Sequence, residues 1–267
     1  MPTPSLRAPA VAGLFYPADP LVLASSVDSM LAAVHGSPMH PKALIVPHAG
    51  YIYSGPVAAS AYALLRPMAK QIRRVVLFGP AHRALVEGLA APAATAFATP
   101  LGQVPVDTKA IAAAAALPQV SISESAHAEE HSLEVQLPFL QAVLEDFMVA
   151  PFVVGGADAV QVAEVMELLW GGPETLIVVS SDLSHYLPYN VAQQVDGATV
   201  DTVLSRRPLA HHEQACGAAA INGLIEAARR RHLAPKLLDL RNSGDTAGDK
   251  SRVVGYAAFA FTEPSNG

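Results

Sequence analysis

Three short runs with no polar side chain, Ala43-Leu44-Ile45-Val46, Val75-Val76-Leu77-Phe78 and Leu176-Ile177-Val178-Val179, constrain this chain more than any other feature. A strand that is apolar on both faces has to be covered on both faces, as in a parallel or mixed sheet packed between helices. The intervening segments supply that cover. Asp19-Pro20 reads as the N-cap and first position of a helix that runs to Val34 and ends at Gly36. Further helices are predicted over 56–65, 107–116 (capped by Asp107), 159–170, 189–205 and 213–230. Leu133, Leu137, Leu140 and Leu144 mark one face of another, which Pro138 should bend or restart. Strands are predicted over 148–154 and 120–122, and two more, 235–240 and 252–261, close the chain. This alternation predicts a single α/β domain over residues 1–267, with a largely parallel or mixed central sheet and helices on both faces. No repeat, low-complexity block or linker interrupts it.

Composition removes several function classes. With 51 % hydrophobic and 15 % charged residues the chain is not disordered. Its apolar runs are cut by Pro and Gly, and none approaches the roughly 20 residues of a membrane span. Met1-Pro2-Thr3-Pro4-Ser5 lacks the basic start and apolar stretch of a signal peptide, so a cytoplasmic protein is expected. A formal net charge of −6 argues against a nucleic-acid partner. The one basic run, Arg229-Arg230-Arg231, falls late in a helix, where cations suit the dipole. A single cysteine excludes an internal disulfide and fits a reducing compartment.

Open α/β sheets bind ligands beyond the carboxyl ends of their strands. Here the three apolar runs lead directly to His48, to His82, and to Asp182 with His185. Three strands delivering such side chains to one edge describe a pocket. The pattern leaves two readings open, a shared metal ion and a metal-free acid–base site. Cys216 falls near the start of the 213–230 helix, where a helix N-terminus would lower its pKa and make thiolate available. A buried, inert thiol is the competing reading.

Other motifs carry less. His127-Ala128-Glu129-Glu130-His131 fits H-x-x-E-H, but it lies at a helix entrance, where Glu129, Glu130 and Ser132 simply favour a helix start. Ser180, Ser181, Asp182 and His185 lack the G-x-S-x-G elbow of a serine nucleophile. No phosphate-binding loop is present, and Gly155-Gly156 is too sparse for a dinucleotide fingerprint.

The chain resembles the Memo family, whose bacterial and archaeal members are called AmmeMemoRadiSam system protein B. The resemblance rests on Arg7-Ala8-Pro9-Ala10-Val11-Ala12-Gly13-Leu14-Phe15-Tyr16-Pro17, Pro47-His48-Ala49-Gly50-Tyr51 and Gly79-Pro80-Ala81-His82. It continues through Glu130-His131-Ser132-Leu133-Glu134, Ser180-Ser181-Asp182-Leu183-Ser184-His185, Ala215-Cys216-Gly217, Asn242-Ser243-Gly244-Asp245 and Val254-Gly255-Tyr256. It implies a fold similar to class III extradiol dioxygenases, with a metal held by His48, His82 and Cys216. It also implies pocket roles for Asp182 and His185, the latter in the place of a catalytic histidine. A thiolate in place of a carboxylate tilts metal preference toward copper or zinc without excluding iron, so Fe(II) or copper is expected, with zinc possible. The resemblance thus implies a metal-dependent redox protein or oxidoreductase acting on an unidentified small-molecule or peptide substrate. The alternative is a non-catalytic binding or signalling protein that keeps the pocket for a peptide or protein partner. The family name further suggests a link to radical SAM and AMMECR-type proteins.

Overall fold

The computed structural model describes residues 5–36 and 38–264. Residues 1–4, on which the expectation about the N-terminus rests, lie outside the described residues. The strands in chain order are β1 (Leu6–Arg7), β2 (Ala43–Val46), β3 (Arg74–Pro80), β4 (Leu89–Ala91), β5 (Ala96–Thr99) and β6 (Gly102–Pro105). They continue as β7 (Val120–Ile122), β8 (Met148–Val154), β9 (Thr175–Ser180), β10 (His185–Leu187), β11 (Ala234–Asn242) and β12 (Val253–Thr262). The helices are α1 (Pro20–Ala32), α2 (Tyr51–Tyr62), α3 (Thr108–Ala114), α4 (Glu124–Ala128) and α5 (His131–Glu134). After them come α6 (Leu137–Val143), α7 (Ala159–Leu168), α8 (Tyr189–Leu204), α9 (Ala218–Arg230) and α10 (Ser243–Thr246).

The apolar runs become the centre of the sheet. Strands β2, β9, β3 and β8 lie side by side in that order, all parallel. Every residue of β2 and β9 is buried, which is why neither shows an alternating pattern. Antiparallel strands flank this block: β12 pairs with β2, and β4 with β8. β10 and β11 both pair antiparallel with β12, and β7 pairs parallel with β4. The sheet is therefore mixed, with nine strands, and β1, β5 and β6 form a smaller sheet beside it. The helices flank the sheet: α2 packs on β11, β12 and β2 with α1 and α6 against it, while α9 packs on β3 and β9 with α7 alongside. Among the described residues no helix is long and apolar enough to cross a membrane.

Two helix starts differ from expectation, and both matter for the pocket. Helix α2 begins at Tyr51, not near Pro56, so only four residues separate β2 from the helix. Pro56 sits inside the helix, where it withholds a hydrogen bond. The buried Val57, Ala58, Ala59, Ala61 and Tyr62 that follow it compensate through packing. Helix α9 begins at Ala218 instead of near 213, because a short 3-10 turn, His212–Gln214, closes on its own capping box. Gly217 then presses onto the end of β9: a Cβ there would stand 2.7 Å from Ser181 Cβ and 2.8 Å from the Ser180 carbonyl oxygen. Cys216 consequently lies in extended chain before the helix. Pro138 restarts the chain as expected, at the first turn of α6.

Candidate metal centre

The parallel block sets the first half of the site. His48, His82 and Asp182 each lie two residues beyond the last residue of their strands, β2, β3 and β9, so the sheet delivers all three to one edge. The second half arrives from elsewhere. His131 opens α5, and Glu130 is its N-cap, accepting the Ser132 amide at 2.8 Å. Ring nitrogens of His48, His82 and His131 all lie within 4.8 Å of one another. The His82 and His131 rings stack at 4.6 Å, and both meet His48 at steeper angles.

Helix α5 is carried into place by a buried clamp. The Glu134 carboxylate, fully buried, accepts the Arg7 guanidinium, the Ala10 and Val11 amides at 2.7 and 3.0 Å, and the Tyr16 hydroxyl at 2.5 Å. Arg7 also donates to the carbonyls of His127 and Glu130. The N-terminal segment is thereby fastened to α5, and Phe15 is laid against the His131 ring at 4.7 Å.

The hydrogen bonds fix which nitrogens are free. Ser180 Oγ donates its one hydrogen to the Ser132 carbonyl at 2.6 Å and accepts from Gln136 Nε2 at 2.9 Å. Its 2.8 Å contact with His48 Nδ1 must then be a donation from the ring, which leaves the Nε2 lone pair of His48 available. Glu130 treats His82 in the same way, accepting its backbone amide at 2.6 Å and Nδ1 at 2.9 Å, so His82 Nε2 is free. Burial raises the Glu130 pKa, but the His82 ring and the Ser132 and His82 amides outweigh it and hold the carboxyl at about 2. Burial, reinforced by the neighbouring imidazoles, drives His48 well below the usual histidine range. Burial also takes His131 down to about 4, against the pull of Glu130. Both rings are neutral at pH 7, the form a metal ion binds.

These residues fit a metal. A histidine ligand whose second nitrogen donates to a carboxylate or another oxygen is the usual support for a bound ion, and His48 and His82 both have it. Nδ1 of His131 is buried and, among the described residues, has no hydrogen-bond partner, standing 3.5 Å from Glu130 Oε1. Nitrogens 2.0–2.1 Å from one ion stand about 3.3 Å apart, so a modest contraction of the cluster completes the set.

Cys216 is not part of that donor set, which corrects the expected His48/His82/Cys216 site and the His/His/Cys redox function built on it. The three donors brought together are His48, His82 and His131. Cys216 does touch His48, with Sγ 3.3 Å from Nε2, and Sγ also receives the Asp182 amide at 3.3 Å. However, burial, followed by the nearby Asp182, pushes its thiol up to about 12. The helix effect expected to lower it fails because Cys216 precedes the N-cap of α9 and lies half-buried against Ser181.

A cavity of about 620 Å³ opens over the histidines, and Asp182 and His185 line it with them. Asp182 Oδ1 accepts the backbone amide of His48 at 2.7 Å, not its ring, so Asp182 and His48 do not pair as in a serine-type triad. Burial lifts the Asp182 carboxyl to about 7 despite the amides of His48 and Ala49. His185 stands at the solvent side of the cavity, lowered from its usual pKa by partial desolvation. His127, the other histidine of the H-x-x-E-H pattern, is structural: Nε2 meets the Ala90 carbonyl at 2.9 Å and its ring lies edge-on to Phe97. The pattern therefore contains one metal donor and one orienting carboxylate. Sequence reasoning set both aside because it tested only for two histidines sharing an ion.

The fold and the cluster define a mixed-sheet α/β protein with a three-histidine cavity at the carboxyl edge of its parallel strands. A family model described as Memo-like protein matches residues 7–260. Curated relatives named MEMO1 family protein include one from Archaeoglobus fulgidus, 36 % identical over 96 % of this chain and 99 % of its own length. One from Aquifex aeolicus is 35 % identical over 96 % and 99 %, and one from Ignicoccus hospitalis 38 % over 97 % and 99 %. The chain belongs to the Memo family.

Proposed function

We propose that this protein is a metal-dependent catalyst acting on a small molecule, with the ion held by His48, His82 and His131. The observation that carries this reading is the convergence of ring nitrogens of His48, His82 and His131 within 4.8 Å of one another at the cavity, while Ser180 and Glu130 hold Nδ1 of His48 and of His82. Three imidazole ligands suit zinc, copper or iron(II), and as uncharged donors they leave the full charge of the ion on the cavity side. When bound, the ion supplies Lewis-acid polarisation and lowers the pKa of water toward ~7. The chain's own residues supply the rest. Asp182 positions His48 through its backbone amide, and His185 moves a proton between the cavity and solvent. The likeness to class III extradiol dioxygenases belongs to this proposal, supported by the histidines beyond β2 and β3. A donor set with no carboxylate differs from the iron facial triad, so ring cleavage is not inferred. A cytoplasmic location is part of the same reading, supported by the free thiol of Cys216.

The test is metal content by mass spectrometry on untagged protein purified anaerobically and reconstituted in turn with Zn(II), Cu(II) and Fe(II). Wild type should take up one equivalent of at least one of them. His131→Ala should lose it, and Cys216→Ser should keep it. Uptake of none of the three ions by folded wild type, or full retention by His131→Ala, overturns the reading.

A further inference from the structure

The proposed function leaves unstated what kind of molecule the cavity takes. One wall of the cavity is built by a bulge. Strand β10 pairs with β12 through His185 and Leu187, and the register slips between them. The residue in the slip, Tyr186, has φ of 58°, a left-handed conformation that costs an aromatic residue energy and clusters at ligand sites. The bulge does two things at once. It leaves His185 on the cavity wall, and it lays the largely exposed Tyr186 ring against the guanidinium of Arg252, 5.2 Å from the ring centroid.

Arg252 lies on the same cavity wall and forms no ion pair among the described residues. Asp249 also lines the wall, but its Oδ1 is taken up by the Ser251 amide at 2.7 Å, and it does not pair with Arg252. A guanidinium held over an aromatic ring and unpaired with any carboxylate keeps N–H donors for a planar oxyanion. Phe15 and Tyr53 give the cavity an apolar side for the remainder of such a ligand.

We propose that Arg252, braced on Tyr186, anchors a small molecule bearing a carboxylate or phosphate group and so holds its other end toward the histidines. This inference rests on the reading of the cavity as a substrate site, and it names the substrate class.

The probes are benzoate, phenyl phosphate and neutral benzamide, titrated by ligand-observed NMR into metal-free and then zinc-loaded protein. Wild type should bind at least one anion tenfold or more tighter than benzamide in both forms. Arg252→Gln should reduce that preference to within twofold, and Arg252→Lys, which keeps the charge but not the fork, should retain part of it. Whether benzoate or phenyl phosphate shows the larger Arg252-dependent gain identifies the anchored group. An anion preference that survives in Arg252→Gln, or is absent from wild type, overturns the inference. Titration of the same samples with Zn(II), Cu(II) and Fe(II) separates the two readings. Stoichiometric uptake of at least one ion without anion preference removes the anchor and leaves the metal centre, whereas anion preference with uptake of none of the three does the reverse.

Discussion

Replacing Glu130 with Gln tests whether the helix cap is also the support of the metal site. The Glu130 carboxylate meets three donors: Oε1 takes His82 Nδ1 at 2.9 Å and the Ser132 amide at 2.8 Å, and Oε2 takes the His82 amide at 2.6 Å. An ionised carboxylate accepts from all three, but a glutamine amide has one oxygen and one NH2 group. Set with its oxygen at the Oε1 position, the amide keeps two bonds and turns an N–H against the His82 backbone N–H. Flipped, it loses both the ring and the Ser132 amide. The better arrangement forfeits one charge-assisted bond, worth about 1.5–3 kcal/mol, and weakens the other two by removing the charge. Part of that loss falls on folding and part on the hold over the His82 ring. Removing such a supporting group typically weakens metal binding 10–100-fold, about 1.4–2.8 kcal/mol. Glu130→Gln should therefore raise the zinc Kd by one to two decades in competition with a chromophoric chelator, with an unchanged circular dichroism spectrum. A folded variant whose Kd stays within twofold of wild type would refute the reasoning and reduce Glu130 to a cap.

Two further predictions concern stability. Glu134→Ala strands the Arg7 guanidinium, which is only 7 % exposed, so it should cost about 4 kcal/mol and lower Tm by roughly 8 °C in calorimetry. A fall under 2 °C would show that the clamp contributes little. Asp196 is buried beneath Gly255 and accepts the Ser184 amide at 3.0 Å, and burial lifts its carboxyl to about 6. The folded protein thus holds this proton more tightly than the unfolded chain, so the group costs stability above pH 6, and the cost fades as pH falls from 6 toward 4. Asp196→Asn removes that dependence. Its stability relative to wild type in urea unfolding should improve by about 2.4 kcal/mol between pH 4 and pH 7.5, and parallel profiles would refute the assignment.

Much of the sheet was legible locally. Strands β2, β3, β8 and β9 lie within a residue or two of their expected bounds, because a run apolar on both faces has no other stable place in a folded chain. The Asp19 and Asp107 caps were equally readable, since each side chain meets amides two or three residues onward. β4 and β10 were not legible: each has three residues and owes its form to a partner strand rather than to its own pattern. The start of α9 was also hidden, because it depends on Gly217 meeting Ser181, a contact between segments far apart in the chain.

The site divides along the same line. The sequence by itself pointed to His48, His82 and Asp182 sharing an edge, for each follows an apolar run within a few residues, and parallel strand direction does the rest. Only the tertiary structure decided the third ligand. His131 reaches the cluster because Glu134 is clamped by Arg7, Ala10, Val11 and Tyr16, and Cys216 stops beside His48, outside the three-histidine set. Both outcomes turn on burial and long-range hydrogen bonds, which act between residues that the linear order keeps apart.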